Sequence, residues 1–437
     1  MSTELEKYTV KKMSMGQSFC VTVPGSKSIT NRALLLAALS QGTCILNGVL
    51  FSADSRVFLE CLQMLGFSLC IDEEAKQVTI QGTGGCIPNQ NAQIYVGSAG
   101  TAARFLTVFL AMAGGNYTLD ASAQMRKRPM EPLIEALREA GIGIECLEKE
   151  GHFPFEIHSQ GIGIHNITID TTVSSQFASA LMMSGILAKD GLQIHLTGSR
   201  VNGSYIKMTL AMMRQFQIPV ALEDGVCRVP GKIRPFAKTY QIEPDVSGAG
   251  YFFAMAPLLR SRVQVANVHL DSMQGDIRFL EICRKMGCEI TDAKEGVIVD
   301  GTALEEYPGV EICMKDFSDQ TLTLAAIAPF AVSDTKITGI GHIRKQESDR
   351  LGVILTELSR MGIDCKELPE EDGILIHPGT VHGAEIETYE DHRVAMAFTL
   401  PGLRTGNLVI KNPGCCAKTF ETYFEVIDGL IDRYGQR

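Results

Sequence analysis

Six short segments of the chain gather small hydroxyl, glycine and acidic residues ahead of an apolar run. They read PGSKSITNR from Pro24, GSAGTAAR from Gly97, TTVSSQF from Thr171, PDVSGAG from Pro244, DFSDQT from Asp316 and YEDHR from Tyr389. Helix capping alone accounts for Ser, Thr and Asp at such places, because their oxygens satisfy free N–H groups. It does not account for the charges at Lys27, Arg32, Arg104, His392 and Arg393. A helix N-terminus favours an anion through its free N–H groups and its dipole, and Gly25 and Gly100 would let the backbone approach a ligand closely. Loops ahead of amphipathic helices add Arg56, Arg126, Arg128, Tyr205, Arg278, Arg350 and Lys418. Facing one site, these groups suit small, multiply charged phosphates or carboxylates.

Acids stand among these bases. Asp319 follows Ser318, and Glu347 lies in RKQESDR three residues before Arg350. A carboxylate beside cations stays ionised and can take a proton from a hydroxyl. The plainer alternatives are a helix cap at Asp319 and an i, i+3 ion pair between Glu347 and Arg350. No phosphate-binding glycine loop stands at a strand–helix junction, and no metal-ligand spacing occurs, so neither a nucleotide nor a metal site is expected. Thirteen cysteines without a C-x-x-C pair argue against a zinc or disulfide framework. The adjacent Cys415 and Cys416 read as small buried residues. A net charge of −10 argues against nonspecific nucleic-acid binding but not against a focused cationic cleft. The N-terminus lacks a signal-peptide pattern, and the uncharged run 171–188 is too polar to span a membrane. A cytoplasmic protein is expected.

The elements that position these residues recur. The buried helical runs begin near Ser28, Thr101, Ser175, Ser247, Asp319 and Asp391, at intervals of 73, 74, 72, 72 and 72 residues. Each unit predicts a strand, an apolar helix, a strand, an amphipathic helix and a closing strand pair. In the first, SLCID and QVTIQG form the pair, with Glu73, Glu74 and Ala75 in the turn. The helix 33–39, apolar nearly all round, should be buried. A chain of 437 residues exceeds one ordinary core, and three units plus three is the natural division, near 241–244.

The motifs resemble the 5-enolpyruvylshikimate-3-phosphate synthase family over essentially the whole chain. They are VPGSKSITNRALLLAALSQG (23–42), GSAGTAARFL (97–106), KRPM (127–130), SSQFASALM (174–182), SYIKMTL (204–210), ESDRL (347–351), EDHRVAMAF (390–398) and AKTF (417–420). The resemblance implies an α/β (α+β) fold of two domains, each of three βαβαββ repeats around a pseudo-threefold axis. One would hold residues 1–25 and 242–437, the other 26–241, with the active site in the interdomain cleft. It implies transfer of the enolpyruvyl group of phosphoenolpyruvate to the 5-hydroxyl of shikimate 3-phosphate, with no metal or organic cofactor, by a monomer. On matching motifs, Ser28, Arg32, Ser174, Ser175 and Tyr205 would hold shikimate 3-phosphate, and Gln176 would touch both substrates. Lys27, Arg128, Arg350, Arg393 and Lys418 would bind phosphoenolpyruvate, with Gly100 and Thr101 near its phosphate. Asp319 would take the hydroxyl proton, and Lys27 or Glu347 would protonate the methylene carbon. Gly100, being small, implies inhibition by the phosphoenolpyruvate mimic glyphosate.

Several positions depart from the family pattern. Gln346 replaces a Lys, with Lys345 one place earlier; Ser98 replaces an Asn; Gln124 replaces an Arg, with Arg126 two places on; His342 and Asn202 replace an Asn and a Ser. The rival readings are a noncatalytic anion-binding relative and an enolpyruvyl transferase with a UDP-sugar acceptor. The second lacks its Lys-Asn pair near the N-terminus.

Overall fold

A computed structural model describes residues 6–161, 163, 165–172, 174–198 and 200–435. The chain separates into two compact units, 25–243 and the discontinuous pair 1–24 with 244–437.

Unit 25–243 contains three four-stranded sheets of one design, a parallel pair extended by two antiparallel strands. In the first, Gln41–Asn47 pairs parallel with Thr239–Gln241 and antiparallel with Gln77–Thr83, which then pairs with Ser68–Asp72. The second runs Asn91–Tyr95, Gly115–Asp120, Phe155–Ser159, Gly143–Cys146. The third runs Asn166–Asp170, Leu192–Thr197, Val226–Val229, Ala221–Glu223. The first repeat has no strand before its helix, so Thr239–Gln241, from the end of the unit, supplies the parallel partner.

The unit made of 1–24 and 244–437 repeats the design. Ser18–Val21 pairs parallel with Arg262–Val265, followed by Gly296–Asp300 and Glu289–Ala293. Glu311–Cys313 begins the next sheet, followed by Thr335–Thr338, Gly373–Ile376 and Cys365–Leu368. The last sheet has three strands. Ala384–Ile386 pairs parallel with Leu408–Lys411, and the N-terminal strand Lys7–Thr9 supplies the antiparallel neighbour.

One helix of each repeat is buried: Lys27–Leu39, Gly100–Ala113, Ser175–Ser184, Val246–Leu259, Thr321–Ile327 and His392–Thr405. Every residue of Val246–Leu259 is buried, as a helix apolar on all sides requires. The amphipathic helices cover the sheets with one face only. Ala53–Met64 starts with a capping box between Ser52 and Ser55. Glu131–Glu139 buries Leu133, Ile134 and Leu137, each worth about 1.5–3 kcal/mol, and leaves Glu131 and Glu135 in solvent. An aspartate at Leu137 would bury an unpaired charge and break that packing. The polar segments of the sequence thus sit at the starts of buried helices, where free N–H groups are available.

The fold itself requires a glycine at position 25. A β-carbon there would overlap the carbonyl oxygen of Gly48.

Candidate active site

In unit 25–243, Lys27 opens the first buried helix, and its Nζ lies 3.4 Å from Oδ2 of Asp54, in the first turn of Ala53–Met64. Arg32, just over a turn further on, is buried. Its Nε donates to Thr209 Oγ1 at 2.8 Å, Nη2 to Ser179 Oγ at 3.1 Å and Nη1 to the Ser28 carbonyl at 3.0 Å. The guanidinium carbon lies 5.4 Å from the Phe105 ring centre and 5.8 Å from that of Tyr205. Among the described residues no carboxylate pairs with it. Burial pushes its pKa down to about 10, against a small opposing pull from Tyr205, so it keeps its charge at neutral pH.

A second pair of cations meets at Gly100. A β-carbon there would lie 2.7 Å from Nη1 of both Arg104 and Arg128. Arg104 is buried, donates to the Gly100 carbonyl at 3.0 Å, and leaves its Nε without a partner. Burial and the neighbouring Arg128 hold its pKa well below the ordinary range. Beside them Gln176 Nε2 donates to Thr101 Oγ1 at 3.3 Å while its buried Oε1 accepts nothing. Ser174 caps its helix by accepting from Gln176 N at 3.2 Å, Ser175 is buried in the first turn, and Tyr205 lies in the first turn of Ser204–Gln215.

In the unit of 1–24 and 244–437, the cations come with their counter-ions. Asp319, in the tight turn Ser318–Gln320, accepts from Arg350 Nη1 at 2.9 Å and from Arg393 Nη2 at 3.0 Å. Its carboxylate therefore serves two arginines. Arg350 is buried and also grips the fully buried Asp391, through Nε at 2.8 Å and Nη2 at 3.3 Å. Burial alone would lower the Arg350 pKa, but Asp391 and Asp319 outweigh it and hold the pKa above its usual value. Asp391 caps the helix His392–Thr405 through Arg393 N at 3.0 Å and accepts from Ser348 Oγ at 2.9 Å.

Glu347 does not pair with Arg350, whose partners are Asp319 and Asp391. Its Oε2 lies 3.1 Å from His392 Nδ1 and 3.3 Å from Lys418 Nζ. These are ion-pair distances without hydrogen-bond alignment at Oε2. Glu347, Asp391 and His392 place possible metal-ligand atoms within 4.8 Å of one another. They do not suit a resident divalent cation, because Arg350 and Lys418 already neutralise the carboxylates.

Not every expected cation joins these sets. Arg56 pairs with Glu73, Arg126 with Asp120 and Glu148, and Arg278 with Glu281 and Asp316, all at the surface. Arg126, two places on from Gln124, is thus engaged with Asp120 and Glu148. Lys345 is exposed. His342 bonds Ser318 Oγ at 2.8 Å, beside Asp319. Cys416 is buried as expected, but Cys415 is only partly buried, and its thiol pKa is lowered by hydrogen bonding with Cys416.

The structure adds Asp54, Arg104, Asp276, Asp391 and His392 to the polar clusters. Arg104 and His392 were visible as charges at helix starts, and Asp391 as the start of the sixth helical run. Asp276 gave no sequence signal. It is buried against Ser247 Oγ, and burial, then the nearby Asp319, raise its pKa to about 7.

Among the described residues no helix is long and apolar enough to cross a membrane. Residues 15–427 match the family model for EPSP synthase (3-phosphoshikimate 1-carboxyvinyltransferase). A 3-phosphoshikimate 1-carboxyvinyltransferase of Nostoc punctiforme is 42% identical over 405 residues, covering 92% of this chain and 94% of its own. One from Mannheimia haemolytica is 37% identical, over 98% of this chain and 100% of its own. The solved EPSP synthase of Acinetobacter baumannii superposes with a TM-score of 0.83 at 26% identity, covering 99% of this chain and 98% of its own.

Proposed function

Since the chain belongs to the EPSP synthase family, we propose that it transfers the enolpyruvyl group of phosphoenolpyruvate to the 5-hydroxyl of shikimate 3-phosphate and releases phosphate. The observation that carries this reading is Asp319, a carboxylate held between Arg350 and Arg393 beside the Glu347–His392–Lys418 cluster. It combines a proton acceptor with the cations that an anionic co-substrate needs.

In this reading Lys27, Ser28, Arg32, Ser174, Ser175, Gln176, Tyr205 and Asp319 hold shikimate 3-phosphate. Lys27, Gly100, Thr101, Arg128, Gln176, Arg350, Arg393 and Lys418 hold phosphoenolpyruvate. Both substrates are anions, so fixed cations offset their repulsion and hold hydroxyl and enol in contact. Asp319 takes the hydroxyl proton as the oxygen attacks the central carbon of phosphoenolpyruvate. Lys27 or Glu347 delivers a proton to the methylene carbon, giving a tetrahedral adduct. In the second half Lys27 or Glu347 takes a proton back from the new methyl group, the carbon–oxygen bond to phosphate breaks, Asp319 returns its proton to the departing phosphate, and the enol ether forms. The reading assigns the chain two domains, 26–241 and 1–25 with 242–437. The reading includes a cytoplasmic monomer, checked by sedimentation and cell fractionation.

The test is phosphate release by the purified protein. Release that needs both substrates and collapses in Asp319→Ala is expected. Binding of both without release would overturn the catalytic reading.

A further inference from the structure

Two consecutive residues before the Asp391–His392–Arg393 segment adopt left-handed backbone angles, Tyr389 at φ 54° and Glu390 at φ 56°. Neither is glycine, and such angles are unfavourable for side chains with a β-carbon. Backbone strain of this kind persists only where the surroundings over-determine it. The surroundings here centre on one buried acid. Glu357, in the helix Arg350–Arg360, is fully buried. Its Oε1 accepts from the Tyr389 hydroxyl at 2.7 Å, and its Oε2 accepts from Glu387 N at 3.3 Å. Arg360 lies 3.1 Å from the same Oε2 and also donates to the Glu385 carbonyl at 2.9 Å. A carboxylate buried at this cost of desolvation, with both oxygens spent on one turn, is a tether for that turn.

We propose that Glu357 is a positioning residue for the reaction. By clamping the turn 387–390 in its strained form, it aims Asp391 at Arg350 and Arg393 at Asp319. It touches neither substrate and acts through the helix start that it fixes. This rests on the proposed function for its kinetic readout, but the tether itself is read without turnover.

The experiment compares wild type, Glu357→Gln, Tyr389→Phe and each of these combined with Glu390→Gly. Glycine adopts the left-handed angle without strain, so the turn should then hold its form with a weaker tether. Hydrogen exchange of the segment 387–395 and steady-state phosphate release are measured on each protein. Glu357→Gln is expected to lose protection in that segment and to lower kcat by about a hundredfold, the scale of a misplacement of about 1 Å. Tyr389→Phe, which removes only a hydroxyl from a partly exposed ring, is expected to show the same pattern more weakly. Glu390→Gly should restore protection and most of kcat in both. The proposal is overturned if the single variants keep wild-type kcat and protection, or if they lose both and Glu390→Gly restores neither. If Glu357→Gln does not fold, Tyr389→Phe with and without Glu390→Gly decides on the same criteria. A wild type without turnover would remove the proposed function, and the exchange pattern would still decide the tether.

Discussion

Both units bury arginines, but among the described residues only one pairs them with carboxylates. In unit 25–243, Arg32 and Arg104 are held by hydroxyls, carbonyls, a thioether and ring faces, and burial lowers both pKa values. In the other unit, Arg350 is locked between Asp319 and Asp391, and its pKa stands above the usual value. The first arrangement stores desolvated positive charge, which an anionic ligand would relieve. The second, with Arg393 on Asp319, balances its charges without a ligand and keeps a carboxylate at a defined place. On the proposed reading, the first binds an anion and the second handles a proton.

The largest effect should come from the proton acceptor. Asp319→Asn is expected to lower kcat by about a thousandfold, within the usual contribution of a general base, while calorimetry still shows shikimate 3-phosphate bound. A neutral variant that turns over near the wild-type rate would remove the distinction between the units.

Stability should then separate the arginines. Arg350→Met leaves the fully buried Asp391 without its arginine, while Asp319 keeps Arg393, and should cost about 3–5 kcal/mol in chemical denaturation without ligand. Arg32→Met removes a buried cation that lacks an acidic partner, so the unliganded protein should be unchanged or more stable. Its affinity for shikimate 3-phosphate should nevertheless fall by about a hundredfold, the loss of a charge-assisted contact worth roughly 3 kcal/mol. Equal destabilisation by the two substitutions would break the comparison.

Gly100→Ala probes the paired cations of the binding unit. Its β-carbon would lie 2.7 Å from the Nη1 atoms of both Arg104 and Arg128, so both guanidinium groups must shift. The KM for phosphoenolpyruvate should rise about tenfold, a change of roughly 1.4 kcal/mol. Glyphosate should compete with phosphoenolpyruvate in the wild type and act more weakly on the variant. Unchanged kinetics would mean that the arginines do not define the anion position.

The smallest effect sharpens the proton-handling side. Asp276 has its pKa raised to about 7 from an ordinary 3.8, mainly by burial and then by Asp319. Between about pH 4 and 7 the folded chain keeps a proton that the unfolded chain releases. This group's contribution to stability is therefore full below that window and lost as pH rises through it. Asp276→Asn should flatten that part of the profile, gaining on the wild type in Tm from pH 4 to pH 8. Parallel profiles would show that Asp276 does not retain its proton in the folded protein.

The repeats, the buried helices and the polar segments at their starts were legible in the sequence, because a period of 72 to 74 residues and apolar runs of helical length leave few arrangements. The first strand pair appears at Ser68–Asp72 and Gln77–Thr83, where alternation and a polar turn put it. The ring closures were not legible. Thr239–Gln241 and Lys7–Thr9 complete sheets whose other strands lie far along the chain, and three-residue strands carry almost no pattern.

The same limit governs the chemistry. The sequence by itself determined which residue types crowd the helix starts, and through its motifs the family. Only the tertiary structure decided their partners. Asp319 meets Arg350 and Arg393, Glu347 turns from Arg350 to His392 and Lys418, and Arg126 is taken up by Asp120 and Glu148. Periodicity specifies the face of a helix on which a side chain lies. Which opposite charge it meets depends on contacts between distant segments, and an ion pair forms or fails over a few ångströms.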